Sequence, residues 1–443
     1  MTQVYVSFDT EDYVNPIGAD GIYNCATLLT EEGVPGNFMT VAWLAQALKE
    51  WGREDVIEAM KKHEIELHSL AHSYHPTINE YTDLEDFQEA LSLFLQKEEE
   101  AVRIISDIFG ISDFSTAVPP GASTSYVAHY GYAKMGLPIY SGDFVRDLKK
   151  GRPVWCCNIA CLDYTVCLDG LLLEADEKEL RELLDKMAEL EILVLYHHPQ
   201  KGMITEFCDE LNYKGFNTPK EEWTLSPLRD KAESEKFYRN FRLLLRLIKA
   251  DPRFSFASYK QLREQLREEP RVVTREQIPG LKAQLENLFP VTTPVSLSLT
   301  DIAYACRDLL QGKDSHVCGE VFGFLSQPYA IEAPVTLTAG QITQMASQIR
   351  DDFLPEKLEL DGITVGPADW LRGALEVLCG AQTVTLIPGP WQIDLDQFPD
   401  IRDLHYAGWW VHDPNWKDLY LSDRLRLQSW TLRLPTGSPR YIF

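Results

Sequence analysis

Val4-Tyr5-Val6-Ser7-Phe8 is an apolar, β-prone run short enough to form one buried strand, and it ends directly in Asp9-Thr10-Glu11-Asp12. In α/β folds the C-terminal ends of strands are where sites are built, so these carboxylates are placed where chemistry is done. Further along stands His68-Ser69-Leu70-Ala71-His72. Histidines four apart are expected on one face of a helical turn. With one carboxylate they offer two nitrogens and an oxygen and leave a coordination position for water, a catalytic rather than a structural metal pattern.

In these residues the chain resembles the polysaccharide deacetylase superfamily, the NodB-homology or carbohydrate esterase family 4 domains. Their first motif is an acidic pair after an apolar strand and their second is H-S/T-x-x-H; His63-Glu64-Ile65 ahead of the second motif belongs to the same resemblance. The resemblance implies an α/β fold, a distorted (β/α) barrel over residues 1–265. It implies metal-dependent hydrolysis of an N-acetyl or similar C–N amide on a carbohydrate or small amide, with one divalent metal, zinc. It makes Asp9 the base and His68 and His72 metal ligands, completed by Glu11 or Asp12. Strand alternation puts Asp9 and Glu11 on the same side, whereas a turn starting at Thr10 brings in Asp12, and both stay open. The general acid is expected at His198 or His197, after the apolar run Ile192-Leu193-Val194-Leu195-Tyr196, and His198-Pro199, which resembles the His-Pro of some relatives, favours His198. His75, Pro120, Gly121 and His197 are expected to contact substrate, His75 being also an alternative ligand.

One motif departs from the family. Its third motif, Arg-x-Pro, holds an arginine that orients the base, and the matching stretch here is Ala117-Val118-Pro119-Pro120-Gly121-Ala122, with Val118 in the arginine's place. Arg146 and Arg152 are the candidates to replace it. The departure keeps two other readings in view: a catalytically silent barrel acting as a glycan-binding or assembly protein, and a metal-free cyclic amide hydrolase of the same superfamily.

At 443 residues the chain calls for two or three domains. Its 42 basic and 67 acidic residues give a net charge of −25, which argues against nucleic acid and anionic membranes as partners. The first residues run straight into the first strand without a basic and apolar leader, and nine cysteines fit reduced thiols, so a cytoplasmic location is expected. Cys156, Cys157, Cys161 and Cys167 lie in a β-prone stretch and read as small apolar residues rather than as a metal site.

Up to about residue 265, short apolar runs alternate with amphipathic stretches, the rhythm of βαβ units. Pro227 to Lys249 reads as one helix and Phe254 to Ala257 as a last strand. The polar, proline-flanked residues 266–292 read as a linker, and 293–443 as an α+β accessory domain. There Pro294 to Ile302 recurs loosely as Pro334 to Ile342, each copy a strand leading into a helix. A hairpin turning at Asp361-Gly362 and a helix from Pro367 follow. This order is faintly similar to pseudomurein-binding-type repeats, and the region is the expected contact of a homo-oligomer. Trp409, Trp410, Trp416 and Trp430 of the tail are expected in a core.

Overall fold

The computed structural model describes residues 1–121, 125–143, 145, 147, 149–285, 288–393 and 409–438. Arg146 and Ala122 lie outside the described residues. The chain divides into two compact units, the first being Met1–Arg152, Cys161–Leu266 and His405–Leu421, the second Pro153–Ala160, Arg267–Leu404 and Ser422–Phe443.

In the first unit, strand β1 (Thr2–Thr10) is followed by helix α1 (Gly18–Glu32), β2 (Asn37–Thr40), α2 (Ala42–Glu50), β3 (Glu64–Leu67) and α3 (Phe87–Phe109). Then come β4 (Thr116–Ala117), β5 (Ile139–Ser141), β6 (Val166–Cys167), α4 (Asp169–Glu174), β7 (Ile192–His197), α5 (Lys231–Ala250) and β8 (Phe254–Phe256). The strands pair in the order β5-β4-β3-β2-β1-β7-β6, with β8 on the first residues of β1. These pairings are parallel.

A parallel sheet is covered on both faces, and this explains why β1 is apolar at consecutive positions: Val4, Tyr5, Val6 and Phe8 are all fully buried. Parallel pairing also brings the C-terminal ends of β1, β2, β3 and β7 to one edge. The α/β class is as expected. Among the described residues, however, the pairings follow an open path and do not close into the ring of a (β/α) barrel.

Two local expectations shift. The helix expected from Pro227 starts at Lys231, where Asp230 caps it by accepting from the Ala232 amide, because Leu228 is held instead in a bridge to Ile204. His68 and His72 are not on a helix. They lie in the loop after β3, with His72 in a left-handed backbone conformation (φ 48°).

The second unit begins inside the stretch expected as a linker. Strand Val272–Thr274 pairs antiparallel with Ser315–Val317, and helix Ile278–Gln284 follows, with Val273, Ile278 and Leu281 buried. Of the two repeated segments only the second has its strand, Val335–Thr338; the first shows a single bridge, Val291 to Leu297, before helix Leu299–Leu310. Both helices start on capping boxes, Ser298 with Asp301 and Thr338 with Gln341. The hairpin turns at Asp361 (φ 52°) and Gly362 (φ 79°), and helix Pro367–Leu378 follows. Trp430 is fully buried in this unit. Among the described residues no helix is long and apolar enough to cross a membrane.

Candidate active site

Glu11 follows the last residue of β1, and the loop after β3 brings both histidines to it. Glu11 Oε2 lies 3.0 Å from His72 Nε2 and 3.4 Å from His68 Nε2, all three side chains being buried. Each imidazole is tied from behind. His68 Nδ1 donates to the Val118 carbonyl at 3.0 Å, and His72 Nδ1 donates at 2.6 Å to Ser73 Oγ, which in turn donates to Asp209 Oδ2 at 3.0 Å. With the Nδ1 protons committed, both Nε2 atoms present lone pairs to a carboxylate. His68 Nε2 has no hydrogen-bond partner among the described residues. Two bare nitrogens and a carboxylate oxygen within 4.8 Å of one another repel unless a positive charge sits between them, and their donor set suits a divalent cation such as zinc. Burial opposes charge on Glu11, yet the nearby His198 imidazolium helps to hold its carboxyl well below the usual range.

Asp9, two residues back on the same side of β1, accepts from the Tyr164 hydroxyl at 2.8 Å through Oδ1. Burial pushes its carboxyl up, opposed by the His198 imidazolium and that hydrogen bond. His198 follows the end of β7, and its Nε2 stands 3.7 Å from Asp9 Oδ2 and 3.9 Å from Glu11 Oε1. Its Nδ1 donates to Asp169 Oδ2 at 2.7 Å and its amide to Asp169 Oδ1 at 3.0 Å. Burial disfavours the imidazolium, but Asp169, Glu11 and Asp9 raise its pKa well above the ordinary value.

The remaining expected residues divide. Asp12 is turned away from the histidines: Oδ1 accepts from the Val14 and Asn15 amides and Oδ2 from the Asn15 side chain at 2.7 Å, so it closes the turn after β1. Burial pushes its carboxyl up to about 6 against those bonds. His75 spends Nδ1 on Glu80 and Nε2 on the Tyr213 carbonyl at 2.8 Å, leaving nothing for a metal. His197, the last residue of β7, points into the core against Phe8, Phe237 and Phe241, and burial lowers its pKa to about 4. Gly121 (φ +54°) packs beneath Trp409, where an ideal Cβ would come within 2.4 Å of the indole. Pro120 is buried beside it. Trp409 reaches His72 edge-on, with ring centroids 5.8 Å apart.

Of the arginines considered for the vacant motif position, Arg152 instead pairs with Asp147 at 3.2 Å. The partner that Asp9 has is Tyr164. Neither Tyr164 nor Asp169 belongs to a motif we quoted, although Asp169 had a readable signal: an acid directly after a short β-prone run, as Asp9 is. Ser73 and Asp209 complete the support of His72, and Asp209 had no local signal. Three of the four clustered thiols, Cys156, Cys157 and Cys161, are buried. Cys161 lies with His129 and Asp143 in a second group of ligand types. There His129 already spends its ring nitrogens on the Ser125 carbonyl at 2.9 Å and Asp143 at 2.5 Å, as core polar groups do.

No family model and no curated protein sequence matches the chain. Among solved structures it is similar to a protein from Mycobacterium smegmatis described as a polysaccharide deacetylase, at 13% identity over 60% of this chain and 90% of that one, with a TM-score of 0.40. It is similar also to a Streptococcus mutans family 4 carbohydrate esterase, at 15% identity over 58% and 85% of the two chains (TM-score 0.33). A third is a mutant of a Bacillus anthracis family 4 pseudoenzyme with restored activity, at 10% identity over 59% and 68% (TM-score 0.35).

Proposed function

We propose that this chain is a metal-dependent hydrolase that removes an N-acetyl or similar acyl group from an amine on a carbohydrate. The observation that carries the reading is the convergence of His68 Nε2, His72 Nε2 and Glu11 Oε2, with both imidazoles anchored through Nδ1. A divalent cation held by these three supplies Lewis acidity toward the amide carbonyl and acidifies a water.

The chain's own groups do the rest. Asp9, fixed by Tyr164, takes a proton from the attacking water. His198, fixed by Asp169, gives a proton to the departing nitrogen, so that the C–O bond forms as the C–N bond breaks and a carboxylic acid and an amine leave. Asp209 and Ser73 keep His72 in the tautomer that presents Nε2. Acetate release from a panel of N-acetylated sugars, before and after chelation and zinc return, tests the reading. Zinc-restored release supports it; no release from any of them under either condition refutes it.

A further inference from the structure

In the second unit, strand Thr383–Leu386 pairs on one side only, antiparallel to strand Val335–Thr338. The Ala339 amide donates to the Gln382 carbonyl at 2.9 Å, and this sets the phase of the ladder. Val384 and Leu386 therefore turn their amides and carbonyls inward to the partner strand, and Thr383, Thr385 and Ile387 turn theirs outward. Among the described residues no backbone group meets that outer edge. Natural sheets blunt such an edge with lysine, proline or a bulge. Thr383-Val384-Thr385-Leu386-Ile387 has none of these: it is uncharged, all but Leu386 are β-branched, and Ile387 is 68% exposed.

The edge borders a cleft of about 410 Å³, whose other wall is helix Pro367–Leu378 with Asp369, Arg372 and Glu376. These positions recur at helical spacing, so one face of the helix looks onto the strand. Helix and strand run antiparallel. A Cβ on Gly389 would lie 3.3 Å from Arg372 Cζ, which puts the guanidinium past the Ile387 end. The Glu376 carbonyl accepts from the Ala381 amide at 3.0 Å, toward the Thr383 end. From Thr383 to Ile387 the edge runs about 13 Å, room for about five residues of extended chain.

Charge is uneven along this slot. Glu376 is balanced by Lys282 Nζ at 2.7 Å. Arg372 meets Asp369 only at 3.5 Å, and Asp369 is itself committed through Oδ2 to the Ile331 and Gly366 amides at 3.1 and 3.2 Å. Arg372 Nη2 donates to the Pro390 carbonyl, and the rest of its fork is open among the described residues. Burial lowers the Arg372 pKa, opposed only in part by Asp369.

An extended chain laid along the edge pairs the outward backbone groups, and a carboxylate on it pairs Arg372. A second copy of the same strand fits less well. Neighbouring strands stand about 4.8 Å apart and packed helices about 8–10 Å, so the copy's own helix would collide with this one.

We propose that this slot docks an extended peptide segment of a partner protein, which adds to the sheet as a strand and sets an acidic side chain against Arg372. Nothing in it depends on the hydrolase reading.

Selection from a displayed library of random heptapeptides on the full chain, followed by fluorescence anisotropy with the most enriched peptide, tests it. Enriched peptides are expected to share one Asp or Glu flanked by Val, Ile or Thr. Arg372→Ala should weaken binding about tenfold, and replacing the peptide's acid by its amide should cost the parent as much and this variant nothing further. Thr385→Pro deletes one outward N–H and leaves the inward ladder in place, so it should also weaken binding about tenfold, while Thr385→Val binds as the parent does. Far-ultraviolet dichroism shows whether each variant is folded; if Thr385→Pro is not, Arg372→Ala and the amide peptide decide. The proposal is overturned by no enrichment above an unrelated protein, or by a selected peptide that binds Arg372→Ala or a folded Thr385→Pro as tightly as the parent. A dimer in solution that Thr385→Pro dissociates overturns it too, giving the edge to a second copy.

Discussion

The Tyr164 hydroxyl donates to Asp9 Oδ1 at 2.8 Å, from a residue 155 positions away in sequence. In the family the chain resembles, an arginine orients this acid, and here Val118 stands in that position with its carbonyl turned to His68. A neutral hydroxyl fixes a carboxylate oxygen as an arginine does, but without the charge that would depress its basicity.

Tyr164→Phe removes that hydrogen bond and little volume. We expect turnover of an N-acetylated sugar to fall by about 10- to 100-fold, with bound metal unchanged. Unchanged turnover would mean that Asp9 is positioned without it.

Asp169→Asn tests the hold on His198 in the same way. The amide retains the shape but cannot both accept from the ring Nδ1–H and carry the balancing charge, so the rate should drop by about 10- to 100-fold, again with metal retained. Loss of metal in this variant would place His198 among the ligands.

Glu11→Gln and Asp12→Asn separate the two carboxylates that sequence left open. Glu11→Gln should lose bound metal as well as turnover, because a neutral amide is a weak partner for the cation. Asp12→Asn should keep the metal and lose stability through the turn that it closes with Asn15. The reverse pattern in metal analysis would exchange their roles.

What sequence made legible was the short-range part of the site. Asp9 and Glu11 share a side because strands alternate, and the histidines were recognisable from their spacing even though they sit in a loop and not on a helix. The choice between Glu11 and Asp12 depends on where the strand stops, and that is set by hydrogen bonds within residues 12–15. The choice between His197 and His198 depends on the same kind of boundary: β7 keeps His197 in register with Phe8 inside the sheet and releases His198 beyond it. His75 had the right residue type and neighbourhood, but Glu80 and Tyr213 consume its ring. Tyr164, Asp209 and Trp409 come from distant chain, and no local pattern announces such contacts.

Gly121→Ala tests the close approach of Trp409. The added Cβ would come within 2.4 Å of the indole at a backbone φ of +54°. A loss of about 1–3 kcal/mol in denaturant unfolding is expected. A neutral result would show that the indole moves aside freely.

Glu98, on α3, is buried, and burial pushes its carboxyl up to about 7 against hydrogen bonds from the Tyr132 hydroxyl and the Leu70 amide. Its folded pKa thus lies above the ordinary 4.5, so between these values the folded state holds the extra proton and stability falls as pH rises. Above roughly pH 8, a unit beyond the folded pKa, that cost is complete. Glu98→Gln gives up one acceptor at every pH but cannot ionise, so relative to the parent it should gain about 2–3 kcal/mol between roughly pH 5 and pH 8. Parallel pH profiles of unfolding for the two proteins would refute the assignment.

The account turns on a cation held by Glu11, His68 and His72. Metal quantification on purified parent and on the His68→Ala/His72→Ala variant, each shown to be folded, measures this most directly. The account predicts about one equivalent of divalent metal per chain in the parent and none in the variant. A parent that takes up no divalent metal, or a variant that keeps the full equivalent, would contradict it.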